Sequence, residues 1–199
     1  MNFITEFFAN NFINCVWLAV LIVAFLPTLE SKIAIPLAMN TAIWGNNALP
    51  ASSAFALSFL GSVLPCYLII FLVRKLKSKT TGFLTTSFFK KYNYKSITIQ
   101  NKKSTFTKYL ALAGLVAVPI PLTGVWTGSL IAGISNLNIN YCVLSIVVGG
   151  AISAGAVTLL CSIFENSISY IFMISLIIII AFMLTELIIS ACKKKTKDN

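Results

Sequence analysis

The chain has 199 residues, of which 58% are hydrophobic and only 10% are charged, and its mean hydropathy is +0.91. A soluble domain carries about 25% charged residues, so this composition excludes an ordinary soluble globule. Because lipid must then be the solvent for much of the chain, we predict an all-α integral membrane protein. The net charge of +10 is concentrated in two places, residues 74–108 and the tail after Cys192.

The basic residues indicate sidedness rather than nucleic-acid binding. Ten of the fifteen lie in 74–108, which contains no acidic residue and no recognisable nucleic-acid-binding motif. By the positive-inside rule we expect this loop and the lysine tail to be cytoplasmic, and to contact anionic lipid headgroups of the plasma membrane. No histidine, no CxxC pair and no phosphate-binding loop occur, so we expect no metal, no other cofactor and no ATP hydrolysis.

The first half of the chain contains two uninterrupted apolar spans separated by a broken stretch. Residues 7–27 are about 30 Å long as a helix, which is enough to cross a bilayer, and a second span covers 52–73. Between them, residues 28–50 are too polar for a lipid-facing helix and too apolar for an ordinary loop. The polar and helix-breaking residues of this stretch are Glu30, Lys32, Pro36, Asn40, Gly45 and Pro50.

The second half follows the basic loop and has the same organisation. Residues 109–134 form two apolar arms around Pro119-Ile120-Pro121, and two prolines so close oppose a continuous helix, since each costs about 3 kcal/mol in a helix interior. Two further uninterrupted spans cover 141–164 and 168–192. The lysine tail follows the last of them.

Counting crossings predicts the topology. Two spans separate the basic loop from the tail, so residues 109–134 must return to the side from which they start, and they are too short for two full crossings. We therefore predict a re-entrant hairpin there and, by analogy, a second one at 28–50 entering from the opposite face. The result is one membrane domain with about four full transmembrane helices and two re-entrant hairpins in an inverted repeat (halves 1–73 and 109–192), and with a cytoplasmic N-terminus. Ile35-Pro36-Leu37 recurs as Ile120-Pro121-Leu122 in support.

Glu30, Lys32 and Pro36 are the first group of candidate site residues. Charges at membrane depth cost about 2.5–3.5 kcal/mol on insertion scales and usually have a function. A proline next to them removes a backbone donor, which leaves helix carbonyls able to bind ions or polar ligands. The alternative, which the sequence leaves open, is that both charges lie at the interface and merely end the first span.

The second group surrounds the two prolines of the second broken stretch. The prolines set a turn, and threonine hydroxyls there can contact a ligand or satisfy exposed backbone groups. The alternative is that these residues only pack against another helix and bind no ligand, since Gly124, Gly128 and Ala132 are spaced four apart, which allows close helix contact. The predicted site residues of this group are Pro119, Pro121, Thr123, Gly124, Trp126 and Thr127. We expect both groups to contribute to one site near the bilayer midplane.

The segments from Pro27 to Pro36 and from Pro119 to Gly128 resemble the two signature segments of the small multidrug export membrane proteins. That pattern runs Glu-Leu-Arg-x-x-Ile-Pro and Pro-x-Pro-Gly-Thr-Gly-x-Trp-Thr-Gly. Here Ser31-Lys32 replaces Leu-Arg and Leu122 replaces a glycine. The family is similar to the DedA-like (VTT-domain) membrane proteins, which implies opposed re-entrant hairpins and, for some members, movement of polyprenyl-phosphate lipids.

The resulting hypothesis is a transporter or translocase, driven by an ion gradient, for a small amphipathic molecule or a lipid-linked phosphate. In it Glu30 binds the proton or cation and Lys32 contacts an anion or phosphate. The alternative is a non-transporting scaffold or assembly factor that docks partners through the basic loop. An enzyme is not expected, because no histidine or paired carboxylates are present. Homo-oligomerisation through the glycine faces is a further expectation.

Overall fold

The computed structural model describes residues 12, 15–79, 105–120, 123–135 and 137–195. Every regular element within these residues is helical, as the composition predicts. Parts of the first predicted span, of the basic loop and of the tail lie outside them, as does Pro121. The α-helices are α1 (Val16–Phe25), α2 (Glu30–Ala38), α3 (Thr41–Trp44), α4 (Ala51–Lys79), α5 (Thr105–Ala117), α6 (Val125–Ile134), α7 (Ile139–Ile163) and α8 (Ile168–Lys195). Short 3₁₀ turns follow α3 and α7 at Gly45–Asn47 and Glu165–Ser167.

Two of the described helices are long and apolar enough to cross a membrane, judged by length and composition. They are Ala51–Leu76 within α4 and the whole of α7. Water-facing helices carry polar residues on their outer side, whereas these two expose large apolar side chains, among them Leu60, Leu64, Leu68, Leu144, Ile152 and Leu159. Such faces suit lipid. The predicted total of four crossings stays a prediction.

The described chain divides into two compact units. The first contains the described residues up to Gly61 and those from Ala154 onward. In it α1 and α2 pack against each other and α8 packs on α2. Because only residues 26–29 join α1 to α2, the two form a helical hairpin. Its interior is apolar and includes Val20, Ala24, Ile35, Leu37 and Trp44.

The first helical hairpin of the structure consists of α1 and α2, and the chain turns between them at 26–29. The re-entrant hairpin predicted within 28–50 stays a prediction. Pro27 causes the turn, because a proline disfavours helical backbone at the residue before it. Residues 39–50 are a compact connection, closed by a hydrogen bond from the backbone N–H of Leu49 to the carbonyl of Ala38 at 2.9 Å.

The second unit covers Ser62–Ser153 and contains a second helical hairpin, α5 and α6. These helices are the two arms predicted on either side of Pro119. Glycines allow the close packing: a Cβ added at Gly128 would lie 2.6 Å from a methyl of Val116, and one added at Gly149 of α7 would collide with the Ala113 carbonyl. The order of a hairpin followed by a long apolar helix therefore occurs twice along the chain.

The base of the α5–α6 hairpin is held by polar contacts. The backbone N–H of Asn138 donates to the Tyr109 hydroxyl at 3.1 Å. The Arg74 guanidinium, near the end of α4, donates to the carbonyl of Leu137 at 2.5 Å and to that of Ala132 at 3.4 Å. The beginning of α5 and the connection after α6 thus lie at the same end of this unit as Arg74.

Candidate functional site

The tip of the first hairpin has an unusual backbone. Thr28 and Glu30 have φ angles of 78° and 48°, and they are the non-glycine residues with positive φ in the described part of the chain. For a β-branched residue such as threonine this region is a true outlier. Residues held there cost about 1–3 kcal/mol each, and they cluster at functional sites. The strain occurs where Pro27 ends α1 and Glu30 begins α2.

Glu30 and Lys32 form a buried ion pair directly after this tip. The Lys32 Nζ lies 3.8 Å from Oε2 of Glu30, and the two residues are only 8% and 5% exposed. They are the buried charged residues of the described chain. Because desolvating two charges is costly, a buried pair contributes little net stability.

The rest of α2 is also buried and is anchored at its far end. Pro36 has no N–H, so the Lys32 carbonyl does not receive the usual helical hydrogen bond from position 36. The helix stops at Ala38, and the Asn40 side chain caps α3 by accepting from the Ala42 N–H at 3.0 Å. The Asn40 side-chain oxygen also accepts from the Ser169 hydroxyl of α8 at 3.2 Å.

Trp44 completes this anchor. Its indole N–H donates to the Leu37 carbonyl at 2.7 Å, and the side chain is fully buried. The sequence identified the polar residues at positions 28–50 as unusual. Their spacing did not indicate the hydrogen bond of Trp44 to Leu37, seven residues earlier, or that of Asn40 with Ser169 of α8.

The tip of the second hairpin joins Ala117 to Val125. The Thr123 hydroxyl donates to the carbonyls of Ile120 and Val118 at 3.0 and 3.3 Å, so it satisfies backbone groups that the break in the helix exposes. Gly124 then precedes α6 in an extended conformation. Val118, Pro119 and Ile120 are exposed and apolar.

The remaining predicted residues of the second group lie in the first turn of α6. Trp126 and Thr127 are half-buried. Gly128 is buried against Val116 and Ile146, so packing is its observed role. Ser129 is fully buried and donates to the Val125 carbonyl at 2.6 Å, a contact that the sequence did not indicate.

The predicted site residues therefore fall into two groups, one in each unit. The structure brings Glu30 and Lys32 together in the first unit, and Thr123 and Gly124 together with the first turn of α6 in the second. Each group occupies the same place in its hairpin, the tip and the first turn of the second arm. Their expected contribution to one shared site stays a prediction.

Comparison with known protein families gives a match. The profile of the family described as "Putative small multi-drug export protein" matches residues 30–157, which is more than half of the chain. The matched region begins at Glu30, directly after the turn at 26–29, and includes the tip of the second hairpin. No curated protein and no solved structure gives a significant match. The similarity to DedA-like proteins stays a prediction.

Proposed function

Because the chain belongs to the family of small multi-drug export proteins, we propose that it is a plasma-membrane transporter whose substrate or ion site contains the Glu30–Lys32 pair. Its cargo is a small amphipathic molecule or a lipid-linked phosphate, moved at the expense of an ion gradient. Within this proposal Glu30 binds the coupling or substrate cation. Thr123 and the first turn of α6 line the polar path through the second unit.

One observation carries the proposal: an ion pair that is almost fully buried at a strained turn of a short helix. Ion pairs with a purely structural role are usually exposed to solvent. A strained backbone beside such a pair would bring no benefit. Here the pair is enclosed among apolar residues, and Thr28 and Glu30 are held in left-handed conformations beside it. Intramembrane charges of this kind mark substrate or ion pathways, and backbone strain at such a place is part of pre-organised binding.

The polarity of the α5–α6 hairpin supports a re-entrant position. Its tip exposes Val118, Pro119 and Ile120, whereas its base carries Tyr109, Asn138 and the Arg74 guanidinium. A turn in water would be polar. Because non-helical backbone at membrane depth must be covered by protein or line a cavity, the tip lines the transport path in this proposal. The 13 residues of α5 rise about 20 Å, less than the bilayer core of about 30 Å. We therefore place the tip inside the membrane and the base at the cytoplasmic interface.

The same reasoning gives a topology for the first unit. If α4 crosses once and ends inside at Arg74, then the connection before it, residues 39–50, lies outside. The α1–α2 hairpin then dips from the outer face. In this arrangement α1 is an arm of the hairpin rather than a full span, so Val16 lies on the outer side.

The test is efflux from cells that express the chain, with ethidium as the cationic probe and, in vesicles, farnesyl phosphate as the lipid-phosphate probe. We expect Glu30→Gln to abolish movement of the transported probe while the protein remains in the membrane. The matched control is Glu165→Gln, because Glu165 is an exposed carboxylate in the same unit. Equal transport by wild type and Glu30→Gln would overturn the proposal.

The scaffold alternative makes the opposite prediction. A docking function through residues 74–108 would make Glu30 and Lys32 substitutions silent. Neutralising Lys90, Lys91, Lys102 and Lys103 together would then abolish the cellular phenotype. Under the transporter proposal those four substitutions change membrane orientation or abundance, and efflux per inserted molecule stays near the wild-type rate.

A further inference from the structure

We propose that the base of the α5–α6 hairpin binds the headgroup of an anionic phospholipid through Arg74, Lys75 and Lys108. The site goes beyond the proposed transport and does not depend on it. It requires only that α4 crosses the membrane, because the end of that helix at Arg74 then lies at a membrane interface. Three observations carry the proposal: a peptide group held from both sides, a guanidinium bonded only to neutral partners, and a unit without carboxylates.

One peptide group joins three parts of the second unit at this base. The Arg74 guanidinium, from the end of α4, donates to the Leu137 carbonyl at 2.5 Å. The N–H of Asn138 belongs to the same peptide group and donates to the hydroxyl of Tyr109, from the beginning of α5, at 3.1 Å. Arg74 and Tyr109 therefore bond the two sides of a single peptide, which fixes the position of the guanidinium.

These contacts hold Arg74 in place without neutralising it. Its hydrogen bonds run from one nitrogen, Nη2, to the uncharged carbonyls of Leu137 and Ala132. Its Nε is buried and has no hydrogen-bond partner among the described residues. Because an arginine has five N–H donors and stays charged in proteins, the guanidinium keeps both a full positive charge and unmet hydrogen-bonding capacity.

Two lysines adjoin this arrangement. Lys75 follows Arg74 in α4 and Lys108 precedes Tyr109 in α5, so both side chains leave the backbone at the base of the hairpin. Lys75 is exposed, and its ammonium lies 6.0 Å from the centroid of the Phe71 ring. Within the described residues, neither lysine forms an ion pair with a carboxylate. The base therefore presents several cations without an anion.

The sequence shows that this unit cannot supply the anion itself. Residues 62–153 contain ten lysines and arginines and no aspartate or glutamate, so the basic loop cannot provide a carboxylate in any conformation. Near the C-terminus, Glu186 and Asp198 share their stretch with the four lysines of the tail. The positive charge at the base must therefore be balanced from outside the chain. Basic sites between helices at the cytoplasmic face bind anionic lipid headgroups in this way.

The surroundings favour a lipid over a soluble phosphate. The Tyr109 and Tyr141 rings pair at the base with centroids 5.5 Å apart, and tyrosines are enriched at the headgroup level of membranes. Phe106, Leu110 and Leu144 lie within one helical turn of these tyrosines in sequence and are exposed. Acyl chains can therefore contact apolar side chains next to the cations that bind their headgroup.

Charge distinguishes the class of lipid. An arginine matches the oxygens of a phosphate with parallel hydrogen bonds, and lysine ammonium groups add point charges. A phosphatidylglycerol headgroup brings net negative charge, so it reduces the excess of positive charge at the base. A phosphatidylcholine headgroup carries its own cation and leaves that excess unchanged. The site should therefore prefer phosphatidylglycerol.

The test is thermal unfolding of the purified full-length chain in dodecylmaltoside, with dioleoyl phosphatidylglycerol or dioleoyl phosphatidylcholine added at equal concentration. Near saturation, phosphatidylglycerol should raise the unfolding temperature by about 5 °C, because a ligand of the folded state stabilises it. Phosphatidylcholine should raise it much less. In Lys75→Gln combined with Lys108→Gln, the shift should fall by about half or more, while the unfolding temperature without lipid stays unchanged. Arg74→Gln should abolish the shift.

Lys194→Gln combined with Lys195→Gln is the matched control, because it removes the same charge from the tail and should keep the wild-type shift. An equal reduction in both double variants would show that net charge attracts the lipid, and would overturn the proposed site. Equal shifts with the two lipids, or a wild-type shift in Arg74→Gln, would also overturn it. If Arg74→Gln does not fold, the variant at Lys75 and Lys108 decides, and an undiminished shift in it contradicts the site.

Glycerol 3-phosphate, added at the same concentration, separates a lipid from a soluble phosphate. It carries the phosphate without acyl chains, so it should leave the unfolding temperature of the wild type unchanged. A shift equal to that of phosphatidylglycerol would show that the base binds a soluble phosphate, and the lipid proposal would then be wrong.

Discussion

The Tyr109 hydroxyl accepts a hydrogen bond from the backbone N–H of Asn138 across 3.1 Å, although 29 residues separate them. Between these two residues lie the two packed helices α5 and α6. The Tyr109 and Tyr141 rings also pair, with centroids 5.5 Å apart. The contact therefore closes the base of the hairpin, and it supports the proposal that both ends lie at one membrane interface.

Removing the Tyr109 hydroxyl should loosen this base without unfolding the helices. Tyr109→Phe keeps the ring pair but deletes the acceptor, so the Asn138 amide should exchange about two- to tenfold faster in hydrogen–deuterium exchange mass spectrometry. Tyr141→Phe is the control, since it leaves the Asn138 bond in place. Unchanged exchange at Asn138 in Tyr109→Phe would show that the hydroxyl does not hold the base.

Gly149 should tolerate no side chain. A Cβ there would collide with the Ala113 carbonyl and lie 2.9 Å from the Cβ of Val116, so Gly149→Ala should separate α7 from α5 and lower the thermal unfolding temperature in detergent. Gly155→Ala is a matched substitution in the same helix where nothing lies within 4 Å. Because alanine has a higher helix propensity than glycine, Gly155→Ala should leave the thermal stability unchanged or slightly raised. Equal effects of the two substitutions would contradict the observed packing.

The indole of Trp44 should stabilise the first unit through its hydrogen bond as well as its volume. Trp44→Phe leaves the Leu37 carbonyl without this donor in a buried place, which should cost about 1–3 kcal/mol, in addition to the smaller ring. Trp17→Phe is the control, because Trp17 is 51% exposed on α1. Thermal unfolding of both variants in detergent measures the difference. A larger loss in Trp17→Phe would be inconsistent with the anchoring role.

The strain at Thr28 gives a prediction about the balance of stability and activity. Glycine adopts positive φ without steric cost, so Thr28→Gly should stabilise the protein by about 1 kcal/mol in thermal unfolding. Because the same turn positions Glu30, a more flexible backbone in Thr28→Gly should reduce transport of the ethidium or farnesyl phosphate probe. Thr41→Gly, at a helical position, should only destabilise. Destabilisation by Thr28→Gly would show that its backbone is not strained.

The sequence predicted the helical class and the break at Pro119, because an apolar composition and a proline have strong local consequences. It did not indicate that α2 packs on α1, because that contact depends on tertiary packing. It also did not indicate the contact of Asn40 with Ser169, which joins residues far apart in the chain. The role of Gly61 was also not evident from the sequence. A Cβ added at Gly61 would lie 2.8 Å from the Cβ of Ala24, so the glycine allows α4 to approach α1 closely. No local sequence pattern encodes this contact.

The most direct test of the re-entrant arrangement is the sidedness of the connection after α6. A single cysteine at Asn138, in a version without the native cysteines, is treated with a membrane-impermeant thiol reagent. Asn46→Cys, in the exposed connection before α4, is the companion position. If the α5–α6 hairpin is re-entrant, Asn138→Cys reacts only after the membrane is opened, whereas Asn46→Cys reacts in intact cells. Labelling of Asn138→Cys in intact cells, with Asn46→Cys protected or not, would mean that α5 and α6 cross the membrane, and would contradict the re-entrant hairpin.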